Sequence, residues 1–194
     1  MEMDDKIIVN VNDKSLGLND LKVNDECKVR YGSRGIVIEQ NGDIAIFNKR
    51  SKNEYKLPGG GIEEGENPME AFMREIMEET GCEIEIIDYL GLAVEEKGQT
   101  NFKQISYVFV AKVLNNTNGL HLTEKEKDED AIVMWVSLRE ALELVNGCIN
   151  NLVGSKYDDL YRSLFMVKRD SEILNYYKEI YLKENKDSLK QGIK

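Results

Sequence analysis

Short runs of β-branched and aromatic residues, separated by polar turn residues, recur along the chain before residue 140. Two of these runs, GIVIEQ and DIAIFNKR, flank Asn41-Gly42, which is a strong short-range signal for a β-hairpin. Further runs at 82–90, 105–113 and 131–136 predict three more strands, the first two joined by a polar connection at 95–103. A weaker alternation at 6–12 predicts another strand near the N-terminus.

A helix after residue 67 is marked at both ends by its capping residues. Asn67 suits the N-cap, Pro68 suits the first helical position, and Glu70 can complete a capping box. Gly81 suits the left-handed position just past the helix end. Apolar residues at three- and four-residue spacing predict its buried stripe, which consists of Met69, Phe72, Met73 and Ile76.

The last third of the chain predicts further helices. Ser137 opens one of them with a second capping box, and Gly147 would close it. Helical spacing at 157–165 and 173–181 predicts two more, broken near Asp170-Ser171. Their tyrosine-rich stripe favours packing against its own domain, with a homodimer contact or a wall of the substrate pocket as alternatives, because aromatic faces stack on bases.

Three glutamates of the first helix indicate chemistry beyond helix formation. Glu75, Glu78 and Glu79 lie along one side of the helix, where like charges disfavour it by roughly 0.2–0.5 kcal/mol per pair. We therefore expect a cation among them. Three consecutive glycines, 59–61, precede this helix, and they either form a turn or allow a ligand to approach the backbone closely.

Composition limits the classes of partner. The 194 residues carry a formal net charge of −10, which argues against nucleic acid or an anionic membrane as a partner. An anionic substrate would need metal ions or a local basic patch. Three widely spaced cysteines with no CxxC pair fit a reducing cytoplasm, and no apolar run approaches the roughly 18 residues that span a bilayer.

The segment from Gly60 to Cys82 resembles the Nudix box, Gx5Ex7REUxEExGU, in which U is a bulky aliphatic residue. After Gly60, every fixed position agrees: Glu66, Arg74-Glu75-Ile76, Glu78-Glu79 and Gly81. Only the last aliphatic position differs, because it is Cys82, which can pack as a small apolar residue.

The resemblance implies an α/β (α+β) fold, namely an α/β/α sandwich with a mixed sheet and additional C-terminal helices. It covers residues 31–147 as a Nudix hydrolase domain. Residues 1–30 are then an N-terminal extension, and residues 148–194 a C-terminal helical extension within the same globule.

The resemblance also implies a hydrolase that cleaves the diphosphate bond of a nucleoside diphosphate derivative, with Mg²⁺ or Mn²⁺ as cofactor. Sequence marks of ADP-ribose and diadenosine polyphosphate hydrolases are missing, since no proline follows the box and residues 98–100 contain no tyrosine. A pyrophosphohydrolase of nucleoside triphosphates or modified nucleotides is therefore favoured. The alternatives are an ADP-ribose or NDP-sugar hydrolase and a non-catalytic nucleotide sensor.

Site residues follow from the same resemblance. Glu78 and Glu79 are expected as metal ligands, Glu75 as a ligand or the general base, and the Gly59 carbonyl as a further ligand. Arg74 is expected to orient a carboxylate through charge-assisted hydrogen bonds. A glutamate outside the box often adds a ligand or base in this family, and we predict Glu129, with Glu126 second. Among the basic residues, the candidate contacts to substrate phosphates are Arg34, Lys49, Arg50 and Lys56, with ordinary hairpin surface charge as the alternative for each of them singly.

Overall fold

A computed structural model describes residues 3–117 and 119–184, in which a mixed sheet of eight strands lies between helices. The strands are β1 (Ile7–Asn12), β2 (Lys28–Ile38), β3 (Ile44–Lys49), β4 (Glu54–Lys56), β5 (Gly59–Gly61), β6 (Cys82–Lys97), β7 (Phe102–Asn116) and β8 (Ala131–Val136). The helices are α1 (Pro68–Thr80), α2 (Glu124–Asp128), α3 (Leu138–Cys148) and α4 (Leu160–Tyr176).

The strand order is β1-β6-β7-β2-β3-β4, with β5 paired to β2 and β8 paired to β3. β1 runs parallel to β6 and β2 runs parallel to β7, whereas the other pairs are antiparallel. The short antiparallel pairing of β5 with β2 holds the three glycines at the sheet, where they connect it to α1.

Separate hydrophobic cores cover the two faces of the sheet. On one face, Phe72 and Ile76 of α1 pack with Val37, Phe109 and neighbouring strand residues. On the other face, side chains of α3 and α4 pack against β1, β2 and β3. The predicted α/β/α sandwich with a mixed sheet and additional C-terminal helices is therefore confirmed.

The local signals at α1 are also confirmed. The Asn67 side chain accepts hydrogen bonds from the backbone of Met69 and Glu70, Glu70 completes the capping box, and Gly81 has a φ of 69°. The predicted stripe is wrong at one position, because Met73 is 41% exposed while Ala71 is fully buried.

The prediction of two C-terminal helices broken near Asp170-Ser171 is wrong. α4 continues through both residues, followed by a π-helical turn over Tyr177–Tyr181. Their polar side chains are buried in tertiary contacts: Asp170 accepts from the Leu57 amide and from Arg169, and Ser171 donates to Asn146. The tyrosine stripe packs against its own domain, with Tyr177 buried.

Two other boundaries differ from the sequence pattern. β6 extends to Lys97 and β7 begins at Phe102, so most of the predicted polar connection at 95–103 is strand. Its alternating polar residues are buried: Glu95 is 0% exposed and Lys97 is 5% exposed. Gly147 lies inside α3, which ends at Cys148.

No helix in the described ranges is both long and apolar enough to cross a membrane. Parts of the predicted extensions, residues 1–2 and 185–194, lie outside the described residues.

Candidate active site

Glu79 joins α1 to the glycine strand. Its carboxylate accepts a hydrogen bond from the Gly59 amide at 2.8 Å and another from the Lys56 ammonium at 2.7 Å. The same ammonium donates to the Gly59 carbonyl at 3.2 Å. Burial raises the pKa of Glu79, against the lowering effect of Lys56 and the Gly59 amide. One buried cation thus bridges two oxygen groups that were predicted as metal ligands.

Arg74 holds the other carboxylates of the box. Its guanidinium donates two hydrogen bonds to Glu66, at 2.7 and 3.0 Å, and one each to Glu75 at 2.9 Å and Glu78 at 3.2 Å. It also donates to the Gly61 carbonyl. The bonds to Glu66 are the main cause that raises the pKa of Arg74, and they lower the pKa of Glu66 to about 2. Arg74 therefore ties the helix carboxylates to the loop before α1.

Gly60 leaves space for Glu75. A β-carbon at residue 60 would collide with all three atoms of the Glu75 carboxylate group. The neighbouring Gly59 has a φ of 133°, a conformation that L-amino acid side chains rarely adopt. The glycines thus allow a carboxylate to lie directly on the backbone of β5.

The carboxylates of Glu75, Glu78 and Glu79 and the carbonyl of Gly59 are the kind of oxygen ligand that a hard divalent cation prefers. Within residues 3–117 and 119–184, no three His, Cys, Asp or Glu side chains are gathered closely enough to hold a metal ion. The reason is visible in their contacts, because Arg74 engages Glu75 and Glu78 while Lys56 engages Glu79. These oxygen ligands fit such an ion, since the Lys56 ammonium already places a positive charge between Glu79 and the Gly59 carbonyl.

A cavity of about 460 Å³ opens beside the three glycines. Its floor is one face of β2, β6 and β7, and α4 forms a wall through Arg162, Met166 and Arg169. Among the described residues, its lining contains two carboxylates, Glu95 and Asp158. The cationic lining residues are Lys28, Arg30, Arg34, Lys49, Lys56, Lys97, Lys125, Arg162 and Arg169. An acidic chain thus has a strongly basic cavity, as an anionic ligand requires.

Three of the four basic residues that were predicted to contact substrate line this cavity: Arg34, Lys49 and Lys56. Arg50 does not, because its half-exposed side chain pairs with Asp130 at 2.6 Å. The sequence did not indicate Lys97 or Arg169 as site residues. The alternation of Glu95 and Lys97 in the sequence could have indicated that both side chains lie on one face of a strand. The sequence contains no comparable signal that α4 packs beside them.

Glu129 is buried beside the cavity and does not contact the box glutamates. Its carboxylate pairs with Lys49 at 2.8 Å and accepts from Ser155 at 2.7 Å. Burial favours a higher pKa, but the bonds from Lys49 and Ser155 outweigh it and lower the pKa of Glu129. These contacts leave Glu129 as the charged partner of Lys49.

Glu126, the second candidate outside the box, lies close enough for its charge to act on Glu79. Its charge is among the causes that raise the pKa of Glu79, after burial. Its side chain accepts from both the amide and the hydroxyl of Thr123 at 2.8 Å, which fixes it at the start of α2.

Comparison with known proteins agrees with this geometry. A sequence model of the NUDIX domain matches residues 30–151. The chain is 35% identical over 109 residues to 8-oxo-dGDP phosphatase NUDT18 of Homo sapiens, covering 54% of this chain and 31% of that protein. It is 37% identical over 82 residues to the ADP-ribose pyrophosphatase of Methanocaldococcus jannaschii, covering 40% and 48%.

Structural similarity supports the same fold. A solved NUDIX hydrolase from Nitrosomonas europaea superposes with a TM-score of 0.51 at 15% identity, covering 74% of this chain and 92% of that one. The chain spans 30%, 31% and 64% of the length of three curated relatives. The match over residues 30–151 includes the whole box and the strands on both sides of it. This chain belongs to the NUDIX domain family.

Proposed function

We propose that this protein is a metal-dependent hydrolase of the diphosphate bond in a nucleoside diphosphate derivative. The observation that carries the proposal is that a cation-lined cavity and the box carboxylates meet at Gly59–Gly61. Phosphates in the cavity would lie next to carboxylates that can hold a divalent ion. We further propose that the protein works in a reducing cytoplasm, since Cys27, Cys82 and Cys148 are free thiols.

Mg²⁺ or Mn²⁺ would be held by Glu75, Glu78, Glu79 and the Gly59 carbonyl. When bound, such an ion offsets phosphate charge and makes a bound water more acidic. NUDIX hydrolases generally use these ions. For this chain, the donor types and the cation now held between Glu79 and Gly59 support the assignment.

The chain's own residues position the reacting groups. Arg74 fixes the direction of Glu75 and Glu78 through charge-assisted hydrogen bonds, so we regard it as a positioning residue. Glu129 has a similar role toward Lys49, whose ammonium lines the cavity. We therefore propose Glu126, rather than Glu129, as the acidic residue outside the box that acts with its carboxylates.

The relatives include both an 8-oxo-dGDP phosphatase and an ADP-ribose pyrophosphatase. The substrates in these two names share a phosphate anhydride within a nucleotide, and they differ in the group attached to it. We favour a nucleoside triphosphate or modified nucleotide, as the sequence did, because the cavity lining is so strongly cationic. ADP-ribose and NDP-sugars are the alternative substrate class.

A substrate panel tests the proposal. Purified protein should release phosphate, pyrophosphate or a nucleoside monophosphate from at least one nucleotide or nucleotide conjugate with Mg²⁺ or Mn²⁺, and from none with excess EDTA. ³¹P NMR of the products identifies the cleaved bond. No cleavage of any compound with either metal would overturn the proposal.

The assignment of Glu126 can be tested by a conservative substitution. Glu126→Gln should lower kcat by about tenfold or more, because it removes a negative charge near Glu79. Glu124→Gln is the matched control, since Glu124 lies on the same short helix, is exposed and pairs with Lys127. Steady-state kinetics at saturating Mg²⁺ make the comparison. Equal loss in both variants, or in neither, would contradict the role of Glu126.

Lys56 provides a test of metal binding that needs no turnover. Lys56→Met should reduce the free energy of unfolding in EDTA by about 3 kcal/mol, because Glu79 stays buried without its cation. Added Mg²⁺ or Mn²⁺ should restore more stability to this variant than to the wild type, as urea denaturation would show. The control is Lys127→Met, at an exposed lysine. Stability of Lys56→Met that does not respond to either metal would contradict the proposed ligands.

A further inference from the structure

Four buried charged residues lie around the buried Arg169 in the cavity wall, and we call the five together the Arg169 cluster: Arg34, Glu95, Lys97, Arg169 and Asp170. None is more than 6% exposed. Arg169 contacts both Glu95 and Asp170, Lys97 contacts Glu95, and Arg34 lies 3.9 Å from Asp170. Three basic side chains therefore share two carboxylates, so that one positive charge has no counter-ion when all three are protonated.

The other buried charges near the cavity are balanced. Lys56 pairs with Glu79. A second group contains equal numbers of cations and carboxylates: the buried Lys49, Lys52, Glu54 and Glu129, with the partly exposed pair of Lys125 and Asp158. The excess charge is therefore particular to the Arg169 cluster among the buried cavity residues that the structure describes.

Buried nitrogen atoms in the cluster also lack acceptors. Nε of Arg34 and Nη2 of Arg169 have no hydrogen-bond partner in the described part of the chain, although both side chains line the cavity. A buried charged donor without an acceptor is costly, and an anionic oxygen would satisfy it. Both the charge excess and the free donors thus call for a bound anion.

The electrostatics of the free protein agree with an absent anion. Burial and the charges of Arg169, Arg34, Arg162 and Arg30 lower the pKa of Lys97 to about 6, even though its ammonium contacts Glu95. An anion placed among these groups would favour their charged forms.

The cluster continues from the box end of the cavity toward its mouth. Arg34 of β2 is paired with Gly59 of β5, so it lies beside the predicted metal ligands. Lys97 is paired with Phe102, which also lines the cavity. At the mouth, Lys28, Arg30 and Arg162 have no ion-pair partner among the described residues. A chain of phosphates extending away from the box would meet positive charge throughout.

We propose that the Arg169 cluster binds a dianionic phosphoryl group of the substrate, so that nucleotides ending in a phosphate are selected over those ending in an uncharged sugar. A terminal phosphate carries nearly two negative charges at neutral pH, and the ribose or hexose of ADP-ribose and NDP-sugars carries none at that position. This inference rests on the proposed hydrolase function. Two of the cluster residues belong to α4, beyond the 30–151 match to the family.

Lys97→Met tests the site without any reaction. It removes the excess charge and leaves Glu95 with Arg169 and Asp170 with Arg34. By calorimetry in EDTA, the variant should bind inorganic sulfate at least about tenfold more weakly than the wild type. Lys103→Met is the matched control: it lies on the same hairpin, pairs with Glu96 and does not line the cavity. Equal sulfate affinity in the wild type and Lys97→Met would overturn the site.

Thermal stability gives a second measurement, in which Lys97→Met should gain where it loses sulfate affinity. Lys97 has a pKa of about 6 in the folded state, below its unfolded value of about 10.4. Its contribution therefore lowers the free energy of unfolding more and more as the pH falls from 10 to 6. The groups that face Lys97 are Glu95, Arg30, Arg34, Arg162, Arg169, Phe102 and Phe165. Without an anion, Lys97→Met should therefore unfold at a higher temperature than the wild type at pH 7, and the difference should shrink toward pH 10. A lower unfolding temperature at pH 7 would indicate a purely structural lysine and overturn the inference.

Substrate selectivity separates a substrate phosphate from a free phosphate ion. Lys97→Met should lower kcat/KM at least about tenfold for a nucleoside triphosphate and less than twofold for an NDP-sugar or ADP-ribose. Loss of sulfate binding with unchanged selectivity would overturn the substrate assignment in favour of a site for free phosphate. If no compound is hydrolysed but sulfate binding depends on Lys97, the proposed function fails while the anion site stands.

Discussion

Glu78→Gln should lower kcat by roughly 100- to 1000-fold while the protein remains folded. The substitution removes one negative charge from the proposed metal ligands and keeps the size of the side chain. Glu78 is about one-third exposed, and it pairs with Arg74 at 3.2 Å. We expect the free energy of unfolding to change by less than about 0.5 kcal/mol, since a partly exposed pair contributes little and like-charge repulsion on α1 is relieved.

Glu64→Gln is the control for this result. Glu64 lies in the exposed loop of the same box, between β5 and α1, so its substitution changes the net charge equally. We expect kcat within twofold of the wild type. Steady-state kinetics over a range of Mg²⁺ concentrations, with urea denaturation of each variant, make the comparison. Near-normal turnover of Glu78→Gln at low Mg²⁺ would show that Glu78 is not a metal ligand.

Gly60→Ala should lower kcat by about 100-fold, although it adds only one methyl group. The new β-carbon would collide with the whole Glu75 carboxylate, which must then leave its position on β5. The fold should tolerate this change, because the displaced atoms are the end of a flexible side chain. Kinetics and thermal unfolding of the same preparation separate the two effects.

The adjacent glycine supplies a matched control. A β-carbon at Gly61 would collide with the guanidinium of Arg30, which is the far end of an exposed side chain, and none of its three nearest atoms belongs to Glu75. Gly61→Ala should therefore retain kcat within about tenfold of the wild type, with any loss in KM through Arg30. If the two variants lose kcat equally, the contact between Gly60 and Glu75 has no special part in catalysis.

Local signals were sufficient to predict α1 and its ends. Asn67, Glu70 and Gly81 act through hydrogen bonds within a few residues, so their spacing in the sequence determines their structural roles. The carboxylates are on the predicted helix for the same reason. Their partners are harder to infer, because the Lys56 ammonium reaches Glu79 only after β4 and β5 have paired within the sheet.

The cavity depends on contacts that sequence patterns do not contain. In the sequence, Asp170 suggests a helix break. In the structure, its carboxylate accepts hydrogen bonds from the Leu57 amide, 113 residues away, and from Arg169. Glu129 was chosen because it lies just before β8, but its side chain turns to Lys49 and Ser155. In both cases the position of a buried carboxylate is decided by a contact with a residue distant in sequence, namely the Leu57 amide for Asp170 and the Lys49 ammonium for Glu129.

The most direct measurement of the proposed metal site is a Mn²⁺ titration followed by electron paramagnetic resonance, with the wild type, Glu78→Gln and Glu64→Gln. Free Mn²⁺ gives a six-line signal that is lost on binding to protein. We expect the wild type and Glu64→Gln to remove the signal with the same affinity, and Glu78→Gln to bind at least about tenfold more weakly. Identical titrations for all three proteins would contradict a metal site at the box carboxylates.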